Sequence, residues 1–203
     1  MIIKSLVVGM FATNCYLLGC PETREAAVID PGSEGKKILN KINSLELKVK
    51  YIINTHAHVD HIAANSRLKE AAGGLICLHE KDLPLYRNPS LGMSVVVGKQ
   101  PEPDRLVAEG EKISFGSIEL EVLETPGHTK GGISLLAPGL VFTGDSLFAG
   151  SIGRTDFPGG SMEQLLESIH TKLMVLPEQT KVFPGHGPDS EIGREKRSNP
   201  FLR

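Results

Sequence analysis

Thr55-His56-Ala57-His58-Val59-Asp60-His61, the stretch THAHVDH at residues 55–61, follows directly on the apolar run VKYIIN of residues 49–54. The chain has seven histidines, and three of them stand in these seven positions beside an aspartate. A single histidine at a strand end is usually structural. Three with an acid at this spacing have no reason to crowd together unless they share a cation.

The same arrangement recurs downstream. ELEVLE runs into Thr125-Pro126-Gly127-His128, LVF into Thr143-Gly144-Asp145, and KVF into Pro184-Gly185-His186. Each apolar segment reads as a strand ending in a tight turn, and the next residue can bind a metal. If these tips share one edge of the fold, His56, His58, Asp60, His61, His128, Asp145 and His186 form one site. Five imidazoles and two carboxylates without a cysteine suit Zn, Fe or Mn better than calcium or magnesium. Seven ligands exceed one tetrahedral shell, so two ions sharing a carboxylate are expected. His79 and His170 lack this context and are expected to be structural.

The remaining sequence sets the frame. With 203 residues, 40% hydrophobic and 23% charged, the chain is expected to form a single domain over 1–203. A net charge of −2 without a basic run argues against nucleic acid as a partner. No stretch approaches the roughly 20 apolar residues of a membrane helix. The N-terminal MIIKSLVVGMFATNCYLLGC is broken by Lys4, Gly9, Thr13 and Asn14 and reads as two strands rather than a signal peptide. Cys15, Cys20 and Cys77 show no metal-like pairing; they are expected to be buried thiols in a reducing cytoplasm.

Ala26 to Ile29 predicts a strand turning at Asp30-Pro31-Gly32. A helix follows, with Ser33 as its expected cap and Ile38, Leu39, Ile42 and Leu45 on one face. Lys48–Asn54 predicts a strand, 62–72 a helix stopped by Gly73-Gly74, and Leu75–Leu78 another strand. Residues 88–109 are expected to be an irregular surface loop. Further strands are expected around Ile113–Val122, Ile133–Ala137, Leu140–Phe142 and Lys181–Phe183. A capping box at Ser161 to Gln164 opens a helix carrying Leu165, Leu166, Ile169 and Leu173. There is no G-x-S-x-G, Walker or dinucleotide-binding motif.

Taken in order, Thr-His-x-His-x-Asp-His, Pro-Gly-His-Thr, Thr-Gly-Asp and Pro-Gly-His resemble the metallo-β-lactamase fold superfamily. The resemblance implies an α/β fold, a four-layer αββα sandwich with the metal site at one edge of the two sheets. It also implies that His56, His58 and His128 hold one ion, that Asp60, His61 and His186 hold the other, and that Asp145 bridges them. Thr-Gly-Asp in place of a cysteine ligand is similar to the glyoxalase II branch, the hydroxyacylglutathione hydrolases. Ala12 to Leu17, Gly153-Arg154-Thr155-Asp156-Phe157 and Asn199-Pro200-Phe201 agree with short bacterial members of that branch, which lack its C-terminal helical domain.

That resemblance implies a binuclear thioester hydrolase, with zinc the first choice of ion and Fe or Mn possible. A hydroxide between the ions would be the nucleophile. Asp60 and Asp145 would be the catalytic carboxylates, and Arg154 is the candidate substrate-binding residue, able to grip a carboxylate or to pair with Asp156. The substrate would be a small thioester such as S-lactoylglutathione, and the chain a monomer or homodimer. Persulfide dioxygenases, which use one iron, carry a similar Gly-Arg-Thr-Asp-Phe loop, and lactonases or β-lactamases are the other alternative.

Overall fold

The computed structural model describes residues 1–88 and 98–203. The N-terminal half builds β1 (Ile2–Val8), β2 (Thr13–Gly19), β3 (Glu25–Ile29), α1 (Gly35–Ser44), β4 (Lys48–Ile53), α2 (Val59–Ile62), α3 (Asn65–Ala72), β5 (Leu75–His79) and, after a short 3-10 turn, α4 (Leu83–Arg87). Next come β6 (Arg105–Val107), β7 (Lys112–Phe115), β8 (Ile118–Glu124), β9 (Ile133–Ala137), β10 (Leu140–Gly144), β11 (Leu147–Phe148) and β12 (Ser151–Ile152). α5 (Met162–Ser168), β13 (Lys181–Pro184), β14 (Ser190–Glu191) and α6 (Ile192–Ser198) complete the chain.

Two six-stranded sheets result, one in the order β1-β2-β3-β4-β5-β6 and the other β14-β13-β10-β9-β8-β7. Alternation along each strand decides what lies between them. Tyr16, Leu18, Ala27, Ile29 and Ile53 of the first sheet face Leu120, Val122, Leu135 and Phe142 of the second across a shared core. The intervening residues point outward. Cys15, Leu17, Ala26 and Val28 pack against Ile38, Ile42, Ile62 and Leu68 of the helices on one side. On the other side, Leu123, Val141 and Val182 meet Leu165, Ile169 and Ile192. Strands buried on both faces need apolar runs, as residues 15–18 of β2, 26–29 of β3 and 140–142 of β10 supply. The layers are therefore helix, sheet, sheet, helix, as the sequence motifs imply.

The sheets are fastened at one end. Phe142 stacks on Phe183 with ring centroids 5.3 Å apart, and Tyr16 leans on both rings. The Tyr16 hydroxyl, in an otherwise apolar layer, donates to the Pro184 carbonyl at 2.7 Å. Asn14 adds side-chain bonds to the carbonyls of Pro184 and Gly187.

Three local expectations change. Ser33 does not cap α1. The helix starts after Glu34, which is left-handed at φ 50° and offers no side-chain cap, because its carboxylate accepts from the Gly9 N–H instead. The helix expected over 62–72 is divided into α2 and α3, since the Ala64 N–H donates to Pro31 rather than to its own helix. Of the loop expected over 88–109, residues 105–107 pair with β5 as the edge strand β6, and residues 89–97 lie outside the described residues. The Ser161 cap forms as expected, accepting from the Gln164 N–H. Cys15, Cys20 and Cys77 are all buried and unpaired.

Phe142→Ala should cost about 3–5 kcal/mol, because it empties the contact between the sheets. Equilibrium urea denaturation would measure this, and a loss below about 1 kcal/mol would show that the aromatic cluster does not join them.

Candidate metal centre

The tip of β4 carries the first ligands, and Asp30 at the end of the neighbouring strand β3 fixes it. The Thr55 N–H and hydroxyl donate to the two oxygens of Asp30 at 2.8 and 2.7 Å. A hydroxyl that donates to a carboxylate is left free to accept, and His56 Nδ1 lies 3.1 Å from it. The network therefore puts the His56 proton on Nδ1 and leaves the Nε2 lone pair facing the site. His58, still extended, precedes the single turn of α2, which directs Asp60 and His61 inward.

Two other rings follow the same logic. His128 Nδ1 is 2.7 Å from the Arg154 carbonyl and His186 Nδ1 is 3.0 Å from the Phe11 carbonyl. A carbonyl only accepts, so both rings hold their proton on Nδ1 and present Nε2. His61 Nδ1 lies 3.0 Å from Asp30 Oδ2, off the N–H axis. Such oxygen partners on the far nitrogen are the usual support of metal-binding imidazoles.

All seven residues singled out in the sequence come together. His56, His58 and His128 form one compact group of ligand atoms; Asp60, His61 and His186 form a second; and His56, His61 and Asp145 a third that overlaps both. His58 Nδ1 approaches His128 Nε2 to 2.8 Å, and His61 Nε2 approaches His186 Nε2 to 3.3 Å. Asp145 lies between the groups: Oδ1 is 3.5 Å from His61 Nε2, and Oδ2 is 3.5 Å from both His128 Nε2 and His186 Nε2. His56 Nε2 and Asp145 Oδ1 are buried without a hydrogen-bond partner. Buried polar atoms rarely go unsatisfied, so these orphans and the converging lone pairs fit divalent cations.

The two halves differ in charge. Burial, followed by the neighbouring imidazoles, holds His56 well below the usual histidine range. His58 falls to about 3 for the same reasons, with His128 the chief neighbour. Burial opposes charge on His61 too, but the carboxylates of Asp145, Asp30 and Asp60 outweigh it and raise that ring to about 10. One half thus holds His56 and His58 as neutral imidazoles, and the other is rich in carboxylate.

Arg154 stands at the mouth rather than among the ligands. Its guanidinium makes a two-pronged contact with Asp156 at 2.8 and 2.7 Å and lies 4.1 Å over the Phe157 ring. Phe157 in turn packs edge-on against His58. An apolar recess of about 120 Å³, lined in part by Val8, Met10, Phe11 and Val59, opens beside Asp60. His79 pairs with Glu124, and His170 is exposed on the π-helical turn Ile169–Leu173 that follows α5, so neither joins the site.

Sequence reasoning missed the supports. Asp30 is visible only as an acid before Pro-Gly, a common turn composition. Thr13, whose hydroxyl donates to Asp60 Oδ2 at 3.1 Å, carries no signal of its own.

A family profile described as the metallo-beta-lactamase superfamily matches residues 8–186. The hydroxyacylglutathione hydrolase GloC of Haemophilus influenzae is 40% identical over 98% of this chain and 97% of its own. Among solved structures, the B3 metallo-beta-lactamase BLEG-1 superposes with a TM-score of 0.93 at 35% identity, covering 99% of each chain. TTHA1623, solved in a di-iron-bound form, gives 0.90 at 39% identity over 98% of this chain and all of that one. ETHE1 of Myxococcus xanthus gives 0.83 at 34% identity, over 98% of this chain and 84% of that one.

Gly185 stands where the ligand loops touch. A Cβ there would lie 2.2 Å from Asp145 Oδ1 and 2.8 Å from His61 Cε1. Gly185→Ala should therefore lower bound metal below the wild-type stoichiometry while the far-ultraviolet circular dichroism stays unchanged; full metal content by elemental analysis would contradict this geometry.

Proposed function

The chain belongs to the metallo-β-lactamase superfamily, and from that premise we propose that it is a binuclear metal-dependent hydrolase of small thioesters, with S-lactoylglutathione the first substrate to try. The observation that carries the reading is Asp145, placed between two ligand groups and offering an unpartnered buried oxygen. His56, His58 and His128 would hold one ion, Asp60, His61 and His186 the other, with Asp145 shared. We expect zinc, although the same donors accept iron or manganese. When bound, two such ions lower the pKa of a shared water toward 7 and polarise a carbonyl.

The protein groups do the rest. The Nδ1 bonds of His56, His128 and His186 fix each ring plane, so the site is organised before substrate arrives. The leaving thiolate has a conjugate acid near pKa 8.5, so departure needs no protein acid. This suits a site whose acids, Asp60 and Asp145, are both directed at the imidazoles. Arg154 would grip a substrate carboxylate in the two-pronged manner it now uses on Asp156, with Phe157 as the wall beneath it. The identity with GloC across nearly the whole chain supports a thioester over an amide.

The loop Gly153 to Phe157 favours one second reading, oxidation of a persulfide at a single iron. A cytoplasmic location fits three unpaired thiols, and no helix among the described residues is long and apolar enough to cross a membrane.

Purified protein should contain close to two divalent ions per chain and hydrolyse S-lactoylglutathione. Asp145→Ala should lose an ion and lower kcat/KM at least 100-fold, and Arg154→Ala should mainly raise KM. One iron per chain, with oxygen uptake on glutathione persulfide and no hydrolysis, would replace this reading with the second.

A further inference from the structure

Asp82 lies outside every group of ligand atoms found among the described residues, yet it is almost wholly buried, at 1% exposure. It ends the 3-10 turn that follows β5, on an element that supplies no ligand. Its carboxylate has three donors. The Ala57 N–H reaches Oδ2 at 2.8 Å, the Thr129 hydroxyl reaches Oδ2 at 2.9 Å, and the Gly131 N–H reaches Oδ1 at 2.7 Å. Ala57 is the residue between His56 and His58; Thr129 follows His128 directly. One carboxylate therefore ties the loop from the first sheet to the loop from the second.

The fit is close. A Cβ on residue 131 would lie 2.7 Å from Asp82 N and 2.9 Å from its Oδ1, so glycine lets the second loop reach the acid. The two segments also meet where the Ile133 N–H donates to the Thr55 carbonyl at 2.8 Å, at the strand ends; among the described residues Asp82 alone bonds both Ala57, between the two histidines, and Thr129, beside His128. The His58 Nδ1 to His128 Nε2 approach of 2.8 Å depends on how far apart these loops sit. Hydrogen bonds to a buried carboxylate are short and strong and fix geometry better than neutral ones.

We propose that Asp82 is a positioning residue that sets the spacing of the His56, His58 and His128 half of the centre, without touching ion or substrate. The inference rests on the reading that these three histidines hold an ion. It assigns Asp82 to one half only. The Asp60, His61 and His186 half has its own supports in Thr13 and the Phe11 carbonyl, while Asp30 serves both halves through Thr55 and His61.

The test is stepwise metal affinity, by chelator competition with Zn²⁺ and by the visible spectrum of the Co²⁺-substituted chain. Asp82→Asn keeps the shape but sets an NH2 group against N–H donors. It should weaken one binding step about 10–100-fold, alter the spectrum of that ion and leave the other step in place. The affected step should be the one that His128→Ala removes. Thr129→Val deletes one of the three bonds and should give a smaller loss in the same step, which keeps the test decisive if Asp82→Asn folds poorly. If both steps weaken together in proportion to a fall in apo-protein melting temperature, or if neither moves, Asp82 is only structural and the inference is overturned. A wild-type chain that binds no ion would instead overturn the metal reading beneath it.

Discussion

Five imidazoles and two carboxylates packed into one largely buried pocket are costly to hold together, because burial removes their water and like groups face one another. The protein meets this constraint by placing an oxygen beside the outer nitrogen of four of the five rings, while His58 turns its Nδ1 toward His128. Thr55, Asp30, and the carbonyls of Arg154 and Phe11 all serve that purpose. What remains unbalanced is directed inward, as lone pairs with no protein partner. Divalent cations resolve the imbalance, so the site is built around a charge that the polypeptide does not itself supply.

Holding such a pocket requires a stiff frame, and the sandwich provides it at one end. β4 belongs to the first sheet, whereas β8, β10 and β13 belong to the second. The ligands meet only if the two sheets keep their register at the tips. The stacked Phe142 and Phe183 and the Tyr16 hydroxyl bond to Pro184 sit directly behind His186. The Asn14 N–H also bonds to the Gly185 carbonyl at 2.7 Å. The N-terminal hairpin thereby joins the loop that carries His186.

The mouth is a different kind of structure from the centre. Arg154 and Asp156 are well exposed and satisfy each other, so they contribute little to stability. The guanidinium is held flat over Phe157 by one carboxylate, and neither the Arg154 nor the Asp156 side chain belongs to the histidine and aspartate cluster beneath.

The strands were legible because burial on both faces forces long apolar runs, and the ligands because histidine is scarce and its spacing here is local. The order of the four motifs implied both the sandwich and the seven residues that meet in it. Ser33 misled because its capping value is local, whereas Glu34 is recruited by Gly9 from a distant hairpin. Asp30 and Asp82 were illegible for a related reason: an acid in a turn looks like any solvated acid until the fold places donors around it, from one remote loop for Asp30 and from two for Asp82. The sequence alone determined most of the longer strands and helices, the candidate ligand set and its donor chemistry, which rest on local pattern along the chain. Only the tertiary structure decided the proton positions on the rings, the distances from Asp145 to the surrounding imidazoles and the three-way grip of Asp82, because each depends on distances between segments that sequence separation does not constrain.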